Sequence, residues 1–562
     1  MSMEIRLLIA FVLMGLVLFL TPYIYKQPPA PPATKGPDAA QTKDSAHDNA
    51  KDDVPPPPVK PDPVKPAKPA VPAIPGQVQA EQEEAFPIDT DVFHVVFSNR
   101  GAVVRSWILK AYKDREGKPL ELVNQRSLTR APAPFALALK AKTEAADPNA
   151  SLYKVTRSGL SLNFEFSDGR ISAKKSFQFD PKTYLVEVNS EVSENGVRLP
   201  HSLAWRGGFG DSTVANPAGD QQALSYDVAN SKLVKHAVKE AKDGPVSTSG
   251  QFSFAGLEDH YFAAVFLPKE RSSVELTTFS DTIPNAENKD EQRIGGGVGG
   301  DGLNRFSFFA GPKDTDLLRN VDPKLEQLID WGTWFGFLAK PLFLALNWTN
   351  DHVTRNYGWA IVLLTIVINT LLLPLRLTSM KSSKKMQALQ PQIAAINEKY
   401  KGLPLKDPRK AEQNQETMDL YKKHGVNPVG GCLPTMLQIP FAVAFYTAIG
   451  VAIELRGANW LWVHDLSQPE TLFIRILPVA LVVAQFITQR MTPSPGMDPS
   501  QQKMMMFMPL MLGYMFYFVS AGVALYWLTG QMVGMVQQWL LNRGAPAPSP
   551  AAVPAVKKKN RN

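Results

Sequence analysis

Cysteine and clusters of chemically reactive residues are scarce in this sequence. Its 562 residues include one cysteine, Cys432, so neither an intramolecular disulfide nor a cysteine-based metal site can form. Among the eight histidines, His94, His201, His236 and His260 show no ligand spacing, and we expect structural or surface roles for them. No nucleophile motif, glycine-rich phosphate loop or paired-carboxylate signature stands out. We therefore expect neither an enzyme nor a bound metal or cofactor.

The net charge is modest, and its positive excess is localised. Lys and Arg number 60 against 52 Asp and Glu, a formal net charge of +8. The excess lies in 376–423, between two long apolar segments, and in the tail from Arg543 onward. A diffuse nucleic-acid-binding surface would not localise in this way, whereas the cytosolic loops of membrane proteins carry this bias. We therefore do not expect DNA as a partner.

The N-terminal part combines an apolar segment with a proline-rich one. Residues 5–24 are mostly apolar and long enough to cross a hydrocarbon core of about 30 Å. A cleavable signal peptide is the rival interpretation, but no small-residue cleavage site follows. We expect an uncleaved signal-anchor helix at 1–25, followed by a disordered tether rich in Pro, Ala, Lys and Asp at 26–85.

The next region, 86–320, has the pattern of β-strands. Alternating or β-branched and aromatic runs are separated by Gly, Pro, Asn and Asp, and they occur at 93–97, 160–166, 184–188, 265–267 and 306–309. This pattern predicts one all-β antiparallel sandwich domain.

Long apolar segments dominate the rest of the chain. Five spans are predicted in a core at 358–543, and they lie at 358–375, 430–452, 472–488, 504–519 and 523–541. The apolar segment 331–348 could be read as another span, but the basic segment 376–423 would then lie outside. We therefore assign 321–357 to an interfacial amphipathic helix.

The anchor and the five core spans give an α-helical polytopic membrane protein with six transmembrane helices. Eleven Lys and Arg in 376–423, against one in 454–470, fix the orientation. We predict a multi-pass membrane protein, with both termini and the basic tail 544–562 in the cytoplasm. The β domain then lies outside.

Four predicted spans carry polar stripes near their inner ends. In the first core span, Thr365, Asn369 and Arg376 fall within ~40° of each other around the helix. The other spans contribute Gln438, Gln485, Gln489, Trp527 and Gln531. Hydrogen bonds between helices of a bundle explain such residues one at a time. As a set, they favour a wet groove.

The basic segment 378–424 is predicted to be a cytosolic helical hairpin. Its apolar positions are Met380, Met386, Leu389 and Ile393 in the first helix and Met418 in the second. Flexible Met surfaces suit varied apolar substrates. A Lys-rich amphipathic hairpin also suits anionic lipid headgroups, so substrate capture and lipid or self-packing both stay open.

Several motifs resemble those of the YidC-type membrane protein insertases, in their Gram-negative branch with a large periplasmic domain. The similarity is strong over 358–543 and looser over the anchor, the tether and the β domain. The motifs are Leu389-Gln390-Pro391, Asn427-Pro428-Val429-Gly430-Gly431-Cys432-Leu433-Pro434, Gln438-Ile439-Pro440, Trp462-Val463-His464-Asp465-Leu466-Ser467, Phe507-Met508-Pro509, Gln537-Gln538 and, in the β domain, His260-Tyr261-Phe262.

The resemblance implies a protein of the cell inner membrane, with a β-supersandwich domain in the periplasm and a five-helix insertase core whose groove is closed to the outside. It implies that nascent inner-membrane proteins are inserted and helped to fold without nucleotide hydrolysis, alone or with the Sec translocon. The implied partners are these nascent chains, the translating ribosome at the basic tail, the Sec translocon and anionic lipids. A monomer should suffice.

One groove position departs from the family pattern. The family usually has a positive residue, most often Arg, at the position of Asn369, and a neutral amide cannot pair with an acidic substrate segment. Arg376 shares the face of Asn369 but lies about 10 Å nearer the cytosol. We therefore predict weaker dependence on substrate acids. At Trp527 the family often has a substrate-contacting Tyr, and Trp keeps the aromatic surface.

Two other classes of function fit the sequence less well. A small-solute transporter using the same groove would need inverted repeats and a midplane site, and the sequence shows neither. An envelope scaffold acting through its β domain would not need six spans and a basic hairpin.

Overall fold

The computed structural model describes residues 76–140, 145–214, 221–269, 273–285, 287–400, 407–425, 433–491 and 499–543. The predicted anchor, the tether up to residue 75 and the basic tail 544–562 lie outside these residues.

The described residues before 313 form antiparallel strands. They are β1 Gln77–Val78, β2 Ala85–Asp89, β3 Phe93–Ser98, β4 Val103–Lys113, β5 Pro119–Glu121, β6 Ala136–Leu139, β7 Lys154–Ser158, β8 Ser161–Asp168, β9 Ile171–Phe179, β10 Leu185–Glu194, β11 Val197–Arg198, β12 His201–Trp205, β13 Gln222–Asp227, β14 Lys232–His236, β15 Val246–Gly250, β16 Phe252–Glu258, β17 Phe262–Pro268, β18 Val274–Pro284, β19 Asp290–Gly300 and β20 Leu303–Pro312.

These strands make three sheets. An 11-stranded sheet has the order β1-β8-β9-β10-β20-β17-β16-β13-β14, with β7 on β8 and β11 on β10. A five-stranded sheet runs β15-β18-β19-β12-β6, and a four-stranded sheet runs β2-β3-β4-β5. The runs predicted as strands fall largely in β3, β8, β10, β17 and β20. Strand β1 pairs with β8 although it lies inside the predicted tether, so ordered chain begins before residue 86.

The core of the β domain is aromatic, with one buried lysine. Burial alternates along β9, where Lys175 occupies an inward position. Its ammonium donates to the carbonyls of Gly101 at 2.7 Å, Ala102 at 3.2 Å and Phe135 at 2.8 Å. Burial lowers the pKa of Lys175 to about 7. The three carbonyls supply the partners that a buried ammonium requires.

Helices follow the strands. They are α1 Thr315–Val321, α2 Gly336–Thr349, α3 Tyr357–Leu371, α4 Leu373–Ala388, α5 Gln390–Lys399, α6 Arg409–Lys423, α7 Leu433–Val451, α8 Ile476–Met491, α9 Pro499–Phe516 and α10 Ala521–Arg543. Short 3-10 helices lie at Gln125–Thr129, Val238–Ala241, Pro323–Leu328 and Ile453–Leu455, and a π-helical turn at Asn350–Thr354. Within the described residues, none of the helices has both the length and the apolar character required to cross a membrane.

Three predicted spans differ from the helices by four or five residues at one end. For the span 504–519, the helix α9 begins already at Pro499. The span 358–375 is divided at Leu372, and the chain resumes as α4 with Pro374 in its first turn, where its missing N–H costs nothing. The span 472–488 begins four residues late because the buried Glu470 fixes the start of α8. The Glu470 carboxylate accepts from Leu477 N at 3.0 Å and from Trp462 Nε1 at 2.7 Å.

Helix α2 corresponds to the predicted interfacial helix but is apolar on both faces. Leu342, Phe343 and Leu346 are buried against the other helices, while Phe337 and Trp348 are exposed. The exposed apolar face suits the boundary of a bilayer.

The β domain contacts the helices through the segment after α7. Ile453 belongs to the hydrophobic core of the β domain. The Arg456 guanidinium forms an ion pair with Asp211 and donates to the Lys113 carbonyl at 2.7 Å. It also lies 5.4 Å from the centre of the Phe262 ring.

The motif His260-Tyr261-Phe262 lies at this junction. His260 Nε2 donates to the carbonyl of Gly450 near the end of α7, at 2.8 Å. The sequence offered this motif only as a loose resemblance, and the structure gives it a physical role in joining the two parts.

Candidate functional site

The first polar side chains of the predicted groove are buried and bonded within their own helix. The Thr365 hydroxyl donates to the Ile361 carbonyl at 2.6 Å, and Asn369 Nδ2 donates to the Thr365 carbonyl at 2.8 Å. Thr365 is 0% exposed and Asn369 7%. Bonds to the carbonyl four residues earlier satisfy these donors without water or a second helix.

Arg376 on α4 reaches across to α10. Its Nη1 donates to Gln537 Oε1 at 3.1 Å, and Gln537 Nε2 donates in turn to the Asn369 carbonyl at 3.4 Å. No carboxylate of the described residues forms an ion pair with Arg376. The result is a partly buried cation held by a neutral amide.

Gly534 of α10 makes room for this contact, and Gly530 lies beside Asn369 with space for an ordinary van der Waals contact. A Cβ at Gly534 would lie 2.8 Å from Arg376 Nη2, and one at Gly530 would lie 3.9 Å from Asn369 Nδ2. Neither glycine was among the groove residues predicted from the sequence, and Gln537 was not assigned to the site. Small residues four apart in an apolar helix are the pattern that allows close helix packing, so Gly530 and Gly534 were recognisable in principle.

The structure brings together Thr365, Asn369 and Arg376, and α10 packs against both α3 and α8. On α8, Gln485 Oε1 is buried without a hydrogen-bond partner among the described residues, and Gln489 follows one turn later. On α10, Trp527 and Gln531 are partly buried. The Trp527 ring lies 5.3 Å from that of Phe516. Gln438 lies in α7, but its side chain is outside the described part.

The predicted cytosolic hairpin is formed by α5 and α6. Gln413 Nε2 donates to Asn397 Oδ1 at 2.7 Å, and the Lys399 ammonium pairs with Glu416 at 3.0 Å.

The apolar residues of the hairpin divide into buried and exposed ones. Leu389 and Ile393 are buried, with Met386, Leu420 and Tyr421 packed against them. Met418 is 44% exposed. The side chain of Met380 lies outside the described residues. Leu389 and Ile393 thus hold the hairpin together, which leaves Met418 as an accessible apolar side chain.

The described residues contain no group of three or more His, Cys, Asp or Glu that could hold a metal ion. The buried His201 hydrogen-bonds through Nε2 to Ser190 at 2.8 Å and Asn304 at 3.0 Å. His94 and His236 contact the nearby carboxylates of Asp89 and Glu240.

Two family models match consecutive parts of the chain. The model described as the YidC periplasmic domain matches residues 85–345. The model described as 60Kd inner membrane protein matches residues 348–547. The first covers the strands from β2 onward. The second covers the helices that carry Thr365, Asn369, Arg376 and Gln537, which we call the polar cluster.

Relatives match over most of the chain. The membrane protein insertase YidC of Syntrophus aciditrophicus is 33% identical over 487 residues, covering 83% of this chain and 86% of the relative. That of Ralstonia nicotianae is 32% identical over 483 residues, covering 83% and 84%. The chain therefore belongs to the YidC family of membrane protein insertases.

Proposed function

We propose that this chain inserts membrane proteins through a polar groove between α3, α4, α8 and α10 that opens to the cytosol. The observation that carries this proposal is Arg376, a partly buried cation with a neutral partner, Gln537. A buried charge is costly unless an opposite charge approaches it. An acidic group of an incoming chain would meet this need.

The proposed topology has six spans, with the anchor 1–25 and five helices of the core. Both termini and the α5–α6 hairpin lie in the cytosol, and the β domain lies in the periplasm. The support is the contrast of eleven Lys and Arg in 376–423 with one in 454–470. The ion pair of Arg456 with Asp211 agrees with a β domain on the same side as 454–470.

The groove lowers the barrier for the polar part of a substrate. A charged residue costs roughly 3 kcal/mol or more at the bilayer centre. The polar side chains of Asn369, Gln485 and Gln531 shorten the distance that the polar part of the substrate must cross through hydrocarbon. The apolar part of the substrate then moves into lipid. A membrane potential contributes about 2.3 kcal/mol per charge per 100 mV. The proposed mechanism requires no nucleotide, metal, cofactor or catalytic residue.

The proposed partners are those that the family resemblance implies. Nascent inner-membrane proteins enter from the ribosome, which binds the basic tail 544–562, and the Sec translocon cooperates on some substrates. Anionic headgroups contact the Lys-rich hairpin. A monomer is sufficient because the polar cluster lies within one chain.

The test compares the Arg376→Gln variant with the wild type. Each purified protein is placed in sealed vesicles, and insertion of a substrate membrane protein is measured without nucleotide. Protease protection of the translocated segment is the readout, with a substrate whose segment carries an acidic residue. We expect about fivefold less insertion, equivalent to about 1 kcal/mol for a partly solvated ion pair.

Arg490→Gln is the matched control, since it removes the same charge from an exposed position in the last turn of α8. Unchanged insertion by Arg376→Gln, or an equal loss in both variants, would contradict the proposed role of the groove.

A further inference from the structure

An apolar cleft lies beside the first half of α8. It has a volume of about 350 Å³ and lies between α8 and α9. Val479 and Val482 line it from α8, and Leu510, Gly513 and Tyr514 from α9. The volume falls within the range of about 300–1,000 Å³ typical of ligand clefts.

Two close contacts join α8 to the α9 region beside the cleft. A Cβ at Gly513 would collide with Val482 Cγ2, so α8 and α9 touch there. Nearer the start of α8, the Arg475 guanidinium lies 4.2 Å from the centre of the Tyr517 ring and donates through Nη1 to the Tyr517 carbonyl. The space between the helices along these contacts is a short apolar slot.

Arg475 combines a positive charge with an apolar surrounding. No carboxylate of the described residues forms an ion pair with it. The preceding Leu472, Phe473 and Ile474 are exposed, by 39%, 97% and 63%. A cation beside exposed apolar side chains at a helix end fits the level of lipid headgroups, with the apolar groups in the acyl region.

We propose that this cleft binds one phospholipid of the outer leaflet, with an acyl chain in the slot and the phosphate on Arg475. This assignment rests on the topology proposed above, which places the start of α8 at the outer surface. A substrate helix is the competing occupant, but a helix with its side chains is about 10–12 Å wide. A volume of about 350 Å³ is smaller than two turns of such a helix, whereas one acyl chain fits it.

The experiment uses the full chain in proteoliposomes that contain a small fraction of phosphatidylglycerol with a photoreactive group on its acyl chain. After irradiation, mass spectrometry locates the labelled residues. We expect labels concentrated on Val479, Leu510 and Tyr514, and competition by unlabelled phosphatidylglycerol. Val479→Trp, which fills the slot, should reduce this labelling at least fivefold.

Two further variants make the result specific. Val483→Trp adds the same ring one turn along α8, at an exposed position (52%) outside the lining, and should leave the labelling unchanged. Arg475→Gln should reduce labelling severalfold, since the phosphate loses its cation.

The other outcomes separate the site from the topology. Labels spread evenly over the exposed faces of α8 and α9, unaffected by Val479→Trp, would leave the topology standing and overturn the site. Absence of labels on both helices would overturn the topology and the site with it. Crosslinks from a nascent chain, with no lipid label, would assign the slot to substrate and refute the proposal.

Discussion

Individual buried ionisable groups show how this chain departs from a uniform apolar core. Glu454, in the short helix after α7, is largely buried, and its Oε2 has no hydrogen-bond partner among the described residues. Burial, aided by the negative charges of Asp314 and Asp316, raises the pKa of Glu454 to about 7. The side chain of Asn347 on α2 opposes the shift with a hydrogen bond. The junction between the β domain and the helices therefore favours a protonated Glu454.

This protonation predicts a pH-dependent stability. Between pH 4.5 and about 7 the folded protein holds a proton that the unfolded chain releases, so the free energy of unfolding falls as pH rises. Glu454→Gln should remove this dependence and stabilise the protein at pH 8 by about 2 kcal/mol. Thermal midpoints at pH 5 and pH 8 measure it, with the exposed Glu412→Gln as control. An equal pH response in wild type and Glu454→Gln would refute this reading.

Asn369 leads to a second prediction at this scale. Because its amide is neutral, replacing the acidic residues of a translocated segment by neutral ones should reduce insertion only about fivefold. Asn369→Arg should make the same replacement more costly, since it adds a cation beside Gly530. Protease-protection assays with matched acidic and neutral substrates compare the two proteins. If neutral substrates fail entirely with the wild type, the prediction is wrong.

Helix ends, rather than helix interiors, limited what the sequence could predict. Alternation located the strands, because a half-buried sheet requires it. Apolar segments located α3, α7, α8, α9 and α10 to within a few residues. The start of α8 could not be predicted, because its cap, Glu470, lies six residues before the helix and reaches it only in the folded chain. The Arg376–Gln537 hydrogen bond could not be predicted either, because it joins residues 161 apart in sequence.

The start of α3 offers a test of packing between elements. A Cβ at Gly358 would collide with the ring of Trp460, which is buried and 5.5 Å from the ring of Trp359. Gly358→Ala should therefore lower stability by about 1–3 kcal/mol, despite the better helix propensity of alanine. Gly450→Ala is the control, since its Cβ would meet nothing within 4 Å. Equal thermal midpoints for the two variants would show that Trp460 adapts freely.

At the scale of the whole molecule, the β domain and the helices are joined, and we predict that their roles are separable. The polar cluster lies entirely in the helices, whereas Arg456 and His260 only connect them to the β domain. Deletion of 86–312 should therefore retain most insertion activity, with lower thermal stability because Ile453 loses its surroundings. Insertion into vesicles measures the effect. Complete loss of insertion, with the helical part still folded, would favour a scaffold acting through the β domain.

The most direct test of the groove is site-specific photo-crosslinking to a ribosome-held nascent membrane protein, in vesicles with the purified protein and no nucleotide. Probes replace Asn369 and Trp527, and a control probe replaces Val536, which is 54% exposed on α10. We expect crosslinks at Asn369 and Trp527 that vanish when the nascent chain is released into lipid, and few crosslinks at Val536. Insertion without contact at either residue would show that the polar cluster only packs the bundle.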